Sequence, residues 1–381
     1  MRTRSAILRR LAKALLVVLL VLSAAYALAY AAFADVRYIT QAAIAEAAIL
    51  RHRRPIGEVV GDSATDPATR GKLLLVMAAR AFAADSLGLA VGQSFTTYTQ
   101  LERDTLVIVL SAAPNDRLEA YTWTYPVVGR VPYKGFFALE PALREAQQLQ
   151  QAGLDTYLRP AAAFSTLGWF NDPLLSTVVR DDSVDLAATV IHETLHNTVF
   201  VKDHVDFNES LAEFTGYRGA EAFFRSRGDS VGAMRAAARW RDIERLARFY
   251  DVLVARLERI YASGARTPEI QRARTEAFGV ALEQMAGPLA RELETIDGRR
   301  LAARPLNNAS LLSQRVYGTG LERFDLLLEQ HGGDLRAAVA AIKRHSSGGG
   351  DPWLVLPAAP APPPRVRADS ASDTLPPPDG R

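Results

Sequence analysis

His192 and His196 stand four residues apart with Glu193 directly after the first, an H-E-x-x-H segment. On a helix, residues four apart share a face, so both imidazoles can offer nitrogen to one metal ion. Glu193 is then placed to hold and deprotonate an attacking water rather than to ligate the metal. A third donor is expected a short way downstream, where N-E-S-L-A-E-F occupies residues 208–214. His204, Asp206, Glu209 and Glu213 are the candidates. Glu209 is preferred, because two His and one Glu with a fourth position left for water is the ligand set of hydrolytic zinc sites. Glu213 lies one turn beyond Glu209 on the same helical face and is expected behind the ligands or near a substrate amine. The longer metzincin pattern needs Gly at position 199 and His at 202; Val199 and Lys202 stand there instead and remove that subclass.

These residues need a helix to carry them, and the stretch from Asp182 to Val201 predicts one. Asp182 and Ser183 offer an N-cap, and Val184, Leu186, Ala187, Ala188, Val190, Ile191, Leu195 and Val199 make the run strongly apolar. Such a helix belongs in a core, where Glu193 needs a polar partner. A metal-bound water supplies one. The plainer alternative, a core helix whose histidines bond to backbone, gives Glu193 no such reason to be there. Histidine is also scarce, with six in the chain, yet His192, His196 and His204 crowd into one segment.

Upstream, the expected elements are helices over 38–51 and 67–89, strands over 105–110 and 121–125, a helix over 141–151 and a short strand over 156–158. Downstream of Leu211 the pattern is almost all helical, with helices over 218–264 and 267–293 and another from Asn307 toward Gln330. The fold class expected is α+β, mainly α-helical, with a small β region before the H-E-x-x-H helix.

The chain has 381 residues and a net charge of +3, much of it in the first thirteen residues, so no nucleic-acid footprint is indicated. The absence of cysteine excludes disulfides, thiolate metal sites and cysteine catalysis. Arg2, Arg4, Arg9, Arg10 and Lys13 precede an uncharged run from Ala14 to Ala34, about the length needed to cross a bilayer. That order predicts a cytoplasmic N-terminus and export of the chain beyond the apolar run. Ala32-Phe33-Ala34 also fits a cleavage site, so a retained anchor and a cleaved signal are both open, with the anchor preferred for the length of the run. The domain plan is an N-terminal signal or anchor over 1–34, a metallopeptidase domain over 35–344 and a Gly/Pro/Ala-rich disordered tail over 345–381.

From Tyr125 to Gly216 the chain resembles a bacterial family of putative aminopeptidases, zinc proteins of the gluzincin type. The resemblance rests on V-V-G-R-V-P-Y-K-G-F at 127–136, S-T-L-G-W-F-N-D-P at 165–173, and H-E-x-x-H with N-E-S-L-A-E-F. Arg53-Arg54-Pro55-Ile56 and Asn307-Asn308-Ala309 look like further blocks of it. Many members carry an N-terminal lipoprotein cysteine, which this chain lacks. The resemblance implies a gluzincin-like domain, Zn2+ as cofactor and a peptide substrate; with the export predicted above, the domain is expected on the periplasmic side of the inner membrane, or secreted if the signal is cleaved. It also implies a phenol donating to the oxyanion, for which Tyr317 is the candidate and Tyr133 the reserve. An aminopeptidase further needs an acidic group at the substrate amine, with Glu213 or Glu140 as candidates. Asn208 and Asp172 are candidates either to orient ligands or to cap a helix or turn, and Trp169 and Phe170 either wall the cleft or, the more common role of an aromatic, pack in the core. The rivals are a zinc endopeptidase on exported proteins and a membrane-anchored zinc-binding protein that cuts nothing. A purely structural site has no use for Glu193.

Overall fold

The computed structural model describes residues 2–101, 107–125, 129–161 and 173–358. It is mainly helical with small sheets, as expected. Trp169, Phe170 and Asp172 lie outside the described residues.

The motif helix, Ser183–His196, is capped by Asp182, whose carboxylate accepts the Val184 N–H at 2.9 Å. Its apolar residues are buried on almost every side, which makes it the central rod of the domain. It ends before the expected Val201, and a connection leads into a second helix, Val205–Ser226, that packs back against it. Asn208 closes this hairpin: Val201 N–H donates to its Oδ1 at 2.8 Å and its Nδ2 donates to Val201 O at 2.7 Å. Glycines let the two helices touch. A Cβ on Gly216 would sit 2.8 Å from Ala188 O and 3.3 Å from His192 Cβ, and one on Gly219 would press on Ile191 and Leu87.

The expected helix over 218–264 is two helices. The second of the hairpin stops at Ser226, Gly228 takes a left-handed turn (φ 74°), and a long helix, Ser230–Tyr261, continues from an Asp229 cap. Trp240 on the long helix is fully buried against Phe214, ring centres 5.7 Å apart. The next helix, Thr267–Gln284, runs into a π-helical turn at Met285–Leu289 around Pro288, because proline has no N–H to continue the ladder. Asp242, wholly buried on the long helix, accepts the N–H groups of Glu294, Thr295 and Ile296 and holds the chain where this element ends.

The principal sheet is antiparallel, with Val107–Pro114 between Lys134–Phe136 and Leu154–Ala161. Alternation splits its faces. Leu110, Phe136 and Leu158 pack on the helix Leu139–Gln151, while Ala113 and Tyr157 pack on Ala309 and Leu312 of the helix Asn308–Arg315. A smaller sheet joins Arg54–Pro55, Thr97–Thr99 and Leu174–Leu175, the last pair parallel, and a hairpin pairs Trp123–Tyr125 with Gly129–Val131.

Two further expectations need correction. The helix from Asn307 toward Gln330 is broken: Asn308–Arg315 ends before Tyr317, Gly320 turns left-handed (φ 61°), and Leu321–Gln330 starts afresh. Tyr317 therefore sits on a connection rather than in a helix. The packed chain also runs past residue 344. A helix, Leu335–Ser347, is succeeded by a 3-10 turn at Pro352–Val355. Trp353 there packs on Phe207 with ring centres 5.0 Å apart, and Arg323 donates to the carbonyls of Trp353, Leu356 and Pro357. That strap is held because its backbone oxygens and its tryptophan both find partners. At the other end, Leu11–Ala32 within the helix Arg2–Ala32 is long and apolar enough to cross a membrane, and none of it is buried.

Candidate metal centre

The hairpin brings His192, His196 and Glu209 together. One donor atom from each lies within 4.8 Å of the others. His192 Nε2 is 3.4 Å from one Glu209 oxygen and His196 Nε2 is 3.6 Å from the other. The two imidazoles meet edge to face, with centroids 5.0 Å apart. Two imidazoles and a carboxylate are donors that suit a divalent ion such as zinc, and their closeness lets one ion reach all three.

Glu213 faces the other side of His192, its carboxylate 3.5 Å from Nδ1. That is the position of a group that fixes the ring and its tautomer, and it accounts for Glu213 without a substrate amine. His204 opens the Val205–Ser226 helix without capping it through its side chain, and Asp206 is exposed in the first turn. Neither joins the cluster. Asn208 orients no ligand; both its bonds go to Val201. Glu140 lies on the exposed side of its helix, paired with Arg144 at 3.7 Å, and is not part of the site.

Charge is finely divided here. Burial opposes an imidazolium at His192, but Glu209, Glu213 and Glu193 outweigh it and carry the group up to about 10. His196 moves the other way, to about 4, through burial and then the neighbouring His192 charge. Burial pushes Glu209 up, yet His192, His196 and Arg159 together hold it below its ordinary value. The carboxylates thus favour a proton on His192, and burial disfavours one on His196.

The phenols close the picture. The Tyr317 ring centre is 6.4 Å from that of His192. Burial, then Glu209, raises the phenol of Tyr317 and likewise that of Tyr133, so both keep their protons and can donate. The positive charge of Arg159 acts on Glu209, Tyr133 and Tyr317, favouring the ionised form of each, and spacing in the sequence did not announce it. Alternation along its strand, once the sheet's faces were known, would have found it.

Residues 37–349 match the model of a family described as putative aminopeptidase. The chain belongs to that family. No curated protein and no solved structure matches it. The match to the putative aminopeptidase family reaches from the helix Ala34–Arg51 to the helix Leu335–Ser347, so the hairpin, the sheet and the Tyr317 connection all lie inside it. It supports a peptidase acting on peptides.

Proposed function

We propose that this protein is a zinc-dependent aminopeptidase of the gluzincin type, held by its N-terminal helix at the periplasmic face of the inner membrane. The observation that carries the reading is the convergence of His192, His196 and Glu209, which brings one donor atom from each within 4.8 Å of the others. The basic N-terminus before Leu11–Ala32 supports the orientation, with the body of the chain exported.

Bound zinc would act as a Lewis acid and lower the pKa of water to about 7. The chain does the rest. His192 and His196 hold their rings on one face of a buried helix, and Glu213 orients the first through Nδ1. Glu193, adjacent to His192, takes the proton of the attacking water and delivers it to the leaving amine. Tyr317 keeps its proton and donates to the oxygen on which charge develops.

The test is metal content and peptide hydrolysis on the full chain in detergent, wild type beside Glu193→Gln. The substrates are peptides with free and with acetylated N-termini. One equivalent of zinc, with Glu193-dependent cleavage of free N-termini only, is expected. Cleavage of acetylated peptides makes the enzyme an endopeptidase. Zinc without cleavage leaves a binding protein and sinks the reading.

A further inference from the structure

The strand Leu154–Ala161 has one face whose occupants can be traced in order. Asp155 accepts the N–H of Asn308 at 2.8 Å and pairs with Arg274. Tyr157 packs on Ala309 and Leu312, one turn further along the helix Asn308–Arg315. Arg159 is the next residue on that face, opposite Val109 across the ladder. The helix beside it ends in the connection that carries Tyr317, whose ring lies 6.4 Å from His192. Strand and helix therefore converge on the metal cluster, and the last polar side chain the strand delivers there is a guanidinium.

Two features bear on what Arg159 can do, the first of them shared with Arg70, Arg274 and Arg315. Its Nε is buried and has no hydrogen-bond partner. The neighbouring carboxylate, Glu209, is already directed at His192 and His196 through its two oxygens. A buried donor without an acceptor costs free energy unless something that binds there accepts from it. Beside a site that opens peptide bonds, the matching group is a carboxylate, which guanidinium holds with paired hydrogen bonds.

We propose that Arg159 binds a carboxylate of the substrate and so selects short or acidic peptides. The inference rests on the peptidase reading above and adds its substrate class. The carboxylate can come from the C-terminus of a di- or tripeptide or from an acidic side chain next to the scissile bond. Arg159 then decides which peptides sit with their carbonyl between the cluster and Tyr317.

Binding is measured by calorimetry on the zinc-loaded full chain carrying Glu193→Gln, which separates affinity from turnover. The probes are alanyl-alanine, its C-terminal amide, and alanyl-glutamate amide. At least one carboxylate-bearing probe should bind about tenfold or more tighter than alanyl-alanine amide, and the tighter one names the source. Adding Arg159→Gln should bring that ratio to about 1, whereas Arg159→Lys should keep part of it, because a point charge remains without the fork. Melting curves show that each variant is folded. Equal affinity for all three probes, or a preference that survives Arg159→Gln, overturns the proposal. If wild type cleaves peptides while the probes bind equally, only the selectivity is wrong. If wild type cleaves nothing, the peptidase reading has failed first.

Discussion

The two sides of the site are built to different standards. On one side, the hairpin of Ser183–His196 and Val205–Ser226 is buried, glycine-fitted and clamped by Asn208, and its side chains contact one another at 3.4 to 3.6 Å. On the other, Tyr133 and Tyr317 come from connections and Arg159 from a sheet strand, and both phenols are partly exposed, at 45% and 37%. The first side must hold donor atoms within tenths of an ångström, which only packed elements achieve. The second must admit and release a substrate, so it is assembled from groups with room in front of them. Metal binding and substrate handling should therefore fail separately under mutation.

The largest effect should come from the hairpin. His196→Ala removes one of three donors, so the purified chain should lose stoichiometric zinc and its activity should fall to background. Metal analysis beside a peptide assay reads both. On the opposite side, Tyr317→Phe should keep the metal and KM but lower kcat by about a hundredfold, the usual cost of one oxyanion donor. If Tyr317→Phe lost zinc, the division between the sides would be wrong.

A smaller effect tests how the hairpin is fitted together. Gly216→Val places branched carbons where a first Cβ already meets Ala188 O at 2.8 Å, so the helices must part. About 1–3 kcal/mol of stability should be lost, as for other overpacked positions, and zinc affinity should fall with it. The counterpart on the open side is Trp353→Ala. Trp353 packs on Phe207, two residues before Glu209, and against Gly320 beside the Tyr317 turn. Its loss should cost about 2 kcal/mol and slow turnover more than it weakens zinc binding. Urea unfolding and zinc titration of the two variants give the comparison directly.

How much of this was legible in the sequence tracks the same divide. The hairpin announced itself: periodicity, the Asp182 cap, the i and i+4 histidines and the Glu209–Glu213 pair are all local signals, and the cluster forms from the residues they name. The open side was mostly silent. Tyr317 was named, but the break around it hides in an apolar pattern that continues across it; Gly318 and Gly320 were the only marks. The strap at 352–357 reads as a Pro/Ala-rich tail because its order comes from Arg323 and Phe207, distant in sequence. Arg159 belongs to no motif at all. Its meaning comes from sharing a face with Asp155 and Tyr157, which is knowable only after the sheet's register is set.

The smallest effect, and the one that separates the two sides most cleanly, is a proton. With no metal bound, the surrounding carboxylates push His192 up to about 10, while burial and the His192 charge bring His196 down to about 4. Between pH 5 and 6, His192 is therefore charged and His196 neutral, while water on a bound zinc, with a pKa of about 7, would still keep both its protons. Zinc taken up at His192 Nε2 must expel that one proton, so apparent affinity should rise about tenfold per pH unit across this window. Calorimetry in buffers of different ionisation enthalpy should count close to one proton released per ion. The hairpin alone sets that number. Glu213→Gln removes a charge that favours the imidazolium and should lower the count toward the upper end of the window. Arg159→Gln, across the site, should leave it at one. A count near two would mean that His196 also carries a proton, and that the hairpin does not divide its charge as its geometry implies.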